Sequence, residues 1–272
     1  MRRFRFLAAL AALAMLLATP AGAVVGGQID GEQHPNVGMF YFTQDGTRFR
    51  CSGTLVSSTV VLTAAHCTDG ATDVRVTFDS VAQQDPLRPT EPGDPGRFIV
   101  GTAFAHPDWN EKLQLKDLLD IGVVVLDAPA ASIWPEITPA PLPTAGFLDE
   151  LAAKGGLKKS AFEVVGYGVF FEQPESTPRT PTAVRDLTRR FTTAPLQNIN
   201  GETVKLQESD SDSKLGGGTC FGDSGGALLL DGLLVGDTSW GGSQWCSGGA
   251  GGYQRTDTPN ARAFLALFVE LP

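Results

Sequence analysis

The chain has 272 residues, 42% of them hydrophobic and 19% charged, with 21 Lys plus Arg against 30 Asp plus Glu and a formal net charge of −9. That length is too great for a disulfide-stapled miniprotein and supports one or two domains with a real core. The acidic balance argues against binding nucleic acid, which needs a basic footprint for phosphates. Gly and Pro make up under a fifth of the chain, below the ~25–30% of low-complexity disorder, and a loop-rich globular protein remains.

Residues 1–23 read as a secretory signal peptide. Arg2, Arg3 and Arg5 precede an apolar stretch from Phe6 to Ala18, and small residues follow at Ala21 and Ala23. The stretch of 13 residues falls short of the ~20 a spanning helix needs. The expectation is an exported, extracellular domain over 24–272, with no membrane contact once the leader is removed. All four cysteines, Cys51, Cys67, Cys220 and Cys246, follow the leader. An even count in an exported chain argues for two disulfides, with three possible connectivities. No Cys-x-x-Cys pair suggests a metal site.

Short apolar runs then recur between turn signals: Val37–Phe42, Gly53–Leu62, Val74–Phe78, Arg97–Phe104, Ile121–Leu126, Phe162–Val169, Ala227–Leu230 and Leu233–Val235. Closely spaced runs of this kind predict an all-β sandwich or barrel. Asp231-Gly232 between the last two is a hairpin signal, because Gly accepts the positive φ of a tight turn. Gln83–Gly96 and Glu172–Thr182, both rich in Pro, read as surface loops open to nicking. At the C-terminus Ala261, Phe264, Leu265 and Phe268 repeat at helical spacing, with Asn260 as the expected N-cap.

Chemistry concentrates in three places. In Cys220-Phe221-Gly222-Asp223-Ser224-Gly225-Gly226 a serine stands between glycines, which let backbone N–H groups turn towards an incoming oxyanion. In isolation the segment would also suit a Gly-rich turn, so a base is required. His34 and His106 each precede a proline and read as loop residues, whereas His66 ends an apolar strand beside Cys67. An orienting carboxylate is expected at Asp120, directly before Ile121–Leu126; Asp117 and Asp127 read as solvated. The order His66, Asp120, Ser224 differs from that of α/β-hydrolases and from that of subtilisins.

Thr63-Ala64-Ala65-His66-Cys67, Asp120-Ile121 and Gly222-Asp223-Ser224-Gly225-Gly226 resemble the three signatures of the chymotrypsin/trypsin-like serine proteases. Val24-Val25-Gly26-Gly27 resembles the mature N-terminus of that family, and Gly166-Tyr167-Gly168 one of its strand motifs. Ser239-Trp240-Gly241 resembles its substrate-binding strand, and His106-Pro107, Gly252-Tyr253 and the C-terminal helix also fit. The resemblance spans residues 24–272. It implies an all-β fold of two antiparallel six-stranded barrels with a short C-terminal helix, and an active site in the cleft between the barrels. It implies Ser224 as nucleophile, His66 as general base and then acid, Asp120 as the orienting carboxylate, and the amides of Gly222 and Ser224 as the oxyanion hole. Ser239 would hydrogen-bond the aspartate, and the Ser239–Gly241 backbone would pair with an extended substrate. The implied disulfides are Cys51–Cys67 and Cys220–Cys246. Partners would be protein or peptide substrates and protein protease inhibitors, with no cofactor or metal, and the protein would be a monomer.

The family's pocket floor falls on Gly218, followed by Thr219, and its side walls on Gly241 and Gly251. With no carboxylate at the floor and small walls, the expectation is an open pocket taking large apolar or aromatic residues. Asp237 would favour basic residues if it pointed inward. The resemblance pairs the amine of Val24 with Asp223, and signal cleavage after Ala23 would create that amine without a separate activation step. Gly252 departs from the branched residue usual there, and no acidic calcium loop follows Cys67. A catalytically silent binding protein on the same scaffold is the alternative.

Overall fold

The apolar runs are strands of two barrels in a computed structural model that describes residues 27–84, 97–110, 112, 119–172, 182–208, 218–241, 246 and 249–272. The leader, Val24, Asp117 and most of the two proline-rich loops lie outside the described residues. Strand β1 (Gln28–Ile29) adds to the edge of the second barrel. The first barrel closes from β2 (Val37–Gln44), β3 (Thr47–Leu55), β4 (Val60–Thr63), β5 (Thr72–Thr77), β6 (Ile99–Ala105) and β7 (Gly122–Leu126), in the order β2-β3-β4-β7-β6-β5.

The second barrel begins at β8 (Ala161–Gly166). A separate hairpin, β9 (Phe170–Glu172) with β10 (Thr182–Val184), forms the stem of one proline-rich loop. Then come β11 (Arg190–Ile199), β12 (Thr203–Gln207), β13 (Ala227–Leu230), β14 (Leu233–Trp240) and β15 (Ala250–Arg255). Their order is β11-β12-β15-β14-β13-β8, and the β11–β8 ladder closes the ring. All pairs are antiparallel, as expected. The Asp231-Gly232 hairpin is present, with φ of 50° and 79° at its two turn residues.

Burial explains which strands stand out in the sequence. Val124 and Leu126 of β7 face the first barrel's interior, while Ile121 and Val123 face the seam between the barrels. On β13, Leu228 and Leu230 face the second interior, and Ala227 and Leu229 the seam. Burying a Val, Leu or Phe side chain contributes about 1.5–3 kcal/mol, against about 1–2 kcal/mol for fixing one residue's backbone. A strand buried on both faces is therefore favoured at every position and reads as a continuous apolar run. The run Gly53–Leu62 is two strands, not one: β3 ends at Leu55, and the Ser57 hydroxyl accepts from Val60 N (3.1 Å) in the turn to β4.

Polar contacts also cross the seam. Arg189 is fully buried and donates to Asp30 Oδ2 (2.7 Å) and to the carbonyls of Gly31 (2.6 Å), Val37 (3.0 Å) and Phe78 (3.1 Å). Its Nη1 also donates to the Tyr167 hydroxyl (3.1 Å), which in turn donates to the Asp79 carbonyl (2.8 Å). The tyrosine of Gly166-Tyr167-Gly168 thus ties the second barrel to the first.

Helix α1 (Phe147–Ala153), which the sequence does not announce, precedes β8 and buries Leu148. Helix α2 (Pro259–Leu265) is the expected C-terminal helix, with Phe264 and Phe268 rings 5.3 Å apart along its apolar stripe. Its N-cap is Thr258, not Asn260. Pro259 occupies the first turn, where its fixed φ suits the helix, so the cap must precede it. Asn260 instead donates to Glu202 Oε1 (2.7 Å).

Candidate active site

Strand β4 delivers His66 on a short turn, Ala65–Cys67, and the Cys51–Cys67 disulfide ties that turn to β3. Asp120 arrives from the start of β7 after Leu119, whose φ is +48°. It is 3% exposed, and its carboxylate accepts three hydrogen bonds. His66 N donates to Oδ1 (2.9 Å), while the His66 Nδ1–H (2.8 Å) and the Ser239 hydroxyl (2.6 Å) donate to Oδ2. Burial pushes this carboxyl up, but the His66 charge and these donors outweigh it and hold it below the ordinary range. Burial likewise pulls the His66 ring down, and the Asp120 charge and hydrogen bond overcome this and raise it. Gln254, absent from the sequence reading, accepts from Asp120 N (3.1 Å).

The serine turn docks against β3 and the end of β4. Ser52 N donates to the Ser224 carbonyl (2.8 Å), and the Ser52 hydroxyl to the Gly222 carbonyl (2.8 Å). A Cβ on Gly225, where φ is +73°, would overlap Thr63 Oγ1 and lie 2.6 Å from the Ser52 carbonyl, so this close approach demands glycine. Around Ser224 the amides of Cys220, Asp223, Gly225 and Gly226 all have acceptors. Those of Gly222 and Ser224 have none among the described residues. No hydrogen bond joins Ser224 Oγ to His66 in this structure; such bonds often tighten only with substrate bound.

Asp223 is fully buried. Its carboxylate accepts from Gly168 N (2.7 Å) and Cys220 N (2.9 Å) and has no ion-pair partner among the described residues. Burial, only partly offset by these amides, pushes it up to about 7.

Beside Ser224 lies a cavity of about 160 Å³ lined by Thr219, Cys220, Phe221, Thr238, Trp240, Gly241 and Cys246, and braced by the Cys220–Cys246 disulfide. Gly218 and Gly251 lie behind it, and the space they leave is not open. The Glu208 side chain fills it: a Cβ on Gly251 would overlap the carboxylate, and one on Gly218 would sit 3.0 Å from Glu208 Cβ. Glu208 accepts from Thr219 N (2.9 Å), from Thr219 Oγ1 (3.0 Å) and from the Tyr253 hydroxyl, and its burial raises it above the ordinary range. Position 218 brings no carboxylate of its own, but the Glu208 carboxylate, just beyond the end of β12, packs against Gly218 and Gly251 without entering the cavity lining. Asp237 does not line the cavity. Both its oxygens are buried without a partner, and burial, then the Asp120 charge, drives it well above the ordinary range.

Gly252 is glycine because the Trp240 indole occupies the place of a Cβ. Asp127 is exposed, as expected. His34 and His106 are in loops but not free of structure. His34 bonds to Asp30, and His106 is buried with its ring 5.2 Å from that of Phe264. Cys51, His66 and Cys67 present their ligand atoms within 4.8 Å of one another, but the two sulfurs are bonded together and so are not thiolate donors.

Comparison with known proteins identifies the family. The family model described as Trypsin matches residues 23–262. Kallikrein 1-related peptidase b24 of Mus musculus is 32% identical over 207 residues, 71% of this chain and 71% of its own. Thrombin-like enzyme elegaxobin-1 of Protobothrops elegans is 27% identical over 231 residues, 80% of this chain and 84% of its own. Among solved structures, HL collagenase covers 92% of this chain and 99% of its own, with a TM-score of 0.64 and 22% identity. Human heparin binding protein covers 91% and 99%, at 0.60 and 20%; these two bear on the fold alone. The chain belongs to the trypsin family and is a serine endopeptidase.

Proposed function

We propose that the chain is exported and hydrolyses peptide bonds through an acyl-enzyme on Ser224. His66 Nε2 takes the proton from Ser224 Oγ as that oxygen attacks the scissile carbonyl carbon. The amides of Gly222 and Ser224 receive the oxyanion, each donor worth on the order of 10²–10³ in rate. Asp120 keeps the proton on Nδ1 and stabilises the imidazolium, which then protonates the leaving amine. Water releases the acyl group by the same steps in reverse. The acyl side of the substrate pairs with the Ser239–Gly241 edge as an added strand. The observation that carries this reading is the pair of amides flanking Asp223 that have no acceptor among the described residues, together with a histidine held by a buried carboxylate.

Signal cleavage after Ala23 frees the Val24 amine to pair with Asp223. Gly27, three residues on, is already buried. The pair weakens at alkaline pH as the amine, with a reference pKa near ~8, loses its proton.

Cleavage follows large apolar or aromatic residues, since among the described residues the cavity beside Ser224 has no charged side chain in its lining. Cleavage after Arg or Lys has one observation in its favour, the Glu208 carboxylate behind Gly218 and Gly251. Burial favours its neutral form, which supports the apolar reading.

The test is labelling by a fluorophosphonate, followed by a peptide library. Correctly processed protein should react, Ser224→Ala should not, and cleavage should fall after Phe, Tyr or Leu. Dominant cleavage after Arg or Lys, lost in Glu208→Gln, would establish the second specificity. Neither labelling nor cleavage of any unfolded protein would point to a catalytically silent binding protein.

A further inference from the structure

A second cavity, about 370 Å³, lies across Phe221 from the first. Its lining includes Arg48, Phe49 and Arg50 of β3, Arg185 after β10, and Phe221 and Gly222 of the serine turn. Among the described residues its lining contains no Asp or Glu, in a chain with a net charge of −9.

Arg48 is anchored, donating to the Asp73 carbonyl (2.8 Å). Arg50 and Arg185 form no ion pair with any described residue. Burial, with the Arg185 charge beside it, holds the Arg50 guanidinium below its ordinary value, against the opposing pull of Tyr41, Asp223 and Asp186, none of which forms an ion pair with it. Two like charges held together in this way gain most from an anion. Phe49, 46% exposed, and Phe221, 63% exposed, stand at the cavity as apolar walls.

The position of the cavity says where the anion comes from. Ser224 borders the small cavity and Gly222 the large one. A peptide whose acyl side lies along Ser239–Gly241 and fills the small cavity passes over Gly222 at the scissile bond. Its leaving segment then runs towards β3. We propose that the arginine cavity receives an acidic side chain from the first two residues beyond the scissile bond, making Arg50 and Arg185 specificity-determining for Asp or Glu. This rests on the acyl-transfer reading above. The match is chemical: a planar guanidinium meets a carboxylate with two parallel N–H···O bonds.

The experiment uses internally quenched peptides that share one acyl half and carry Glu, Gln or Lys at each of the two following positions. At one of them Glu should exceed Gln by about tenfold in kcat/KM, a difference of about 1.4 kcal/mol, with Lys lower still. The preference should shrink as salt rises. Arg50→Gln and Arg185→Gln should each reduce the Glu/Gln ratio and the double variant abolish it, while Arg50→Lys should keep part of it. Equal rates for Glu and Gln in the wild type, or a preference that survives the double variant, would overturn the proposal. The wild-type comparison decides even if a variant fails to fold, and fluorophosphonate labelling reports folding of each variant. Labelled enzyme without acid preference sinks only this proposal. Absence of both labelling and cleavage removes the acyl-transfer reading, and the proposal with it.

Discussion

Asp120 and Asp223 lie on opposite sides of the cleft, one opening a first-barrel strand and one in the second-barrel serine turn, and both are almost wholly buried. Their electrostatic states are opposite. Asp120 collects three donors, two of them from an imidazole residue whose charge it stabilises, and it titrates below the ordinary range. Asp223 has two backbone amides and no ion-pair partner among the described residues, and it titrates near 7. Burial is common to both, so burial does not decide. Nearby charge and the number of donors do. The first carboxylate is held by charge and three donors, and the second by two amides with no ion-pair partner among the described residues.

The sharpest way to break this contrast is at Asp120. Asp120→Asn keeps the shape but presents an amide N–H donor to His66 Nδ1, and so loses the tautomer that leaves Nε2 free to take a proton. We expect kcat on a fluorogenic peptide to fall by on the order of 10⁴, with the fold retained by circular dichroism. A fall of tenfold or less would mean that Asp120 does not orient the base.

Asp223 sharpens the contrast through pH. In a chain that still carries its leader, the folded-state value near 7 lies above the ordinary 3.8. The folded state then holds a proton that the unfolded state has released, so stability falls as pH rises from about 4 to about 7. The loss is on the order of 4 kcal/mol. The chain beginning at Val24 should show no such slope, because the new amine holds the carboxylate in its charged form. Urea unfolding of the two forms across that range checks this, and Asp223→Asn should flatten the slope in the longer form. Asp120 works in the other direction. Its folded value is depressed, so its contribution is present above the ordinary carboxylate range and is lost as pH falls below it. Parallel slopes for both forms between pH 4 and 7 would dissociate Val24 from Asp223.

The same contrast shows what the sequence made legible. The three signatures are local, and each brings its own backbone requirement, such as the positive φ at Gly225 and its contact with Thr63. Seam strands such as β7 and β13 are apolar at successive positions and are readable for that reason. Strands β11, β12 and β15 are polar on one face or rich in glycine, and nothing in their spacing marks them. The residues that tune the site are also non-local. Gln254 reaches Asp120 across 134 residues, and Glu208 packs behind Thr219, Gly218 and Gly251 from beyond the end of β12. Counting the residue at position 218 could not reveal a carboxylate that fills the space from another strand.

Ser239 offers the finest test, because it changes the donor count at Asp120 by one. Ser239→Ala removes the 2.6 Å bond to Oδ2 and leaves both His66 bonds in place. A hydrogen bond to a charged group contributes about 1.5–3 kcal/mol, but most of that is felt equally in the ground and transition states. We therefore expect kcat to fall by only about tenfold. The direction of the pH shift separates tuning from simple damage. Without the hydroxyl the carboxylate is more basic, binds the imidazolium more tightly and raises the His66 value further. The acid limb of kcat/KM should then move to higher pH, and Ser239→Thr, which keeps a hydroxyl, should move it back. A rate loss with an unmoved acid limb would make Ser239 a packing residue, and the contrast between the two aspartates would then rest on His66 alone.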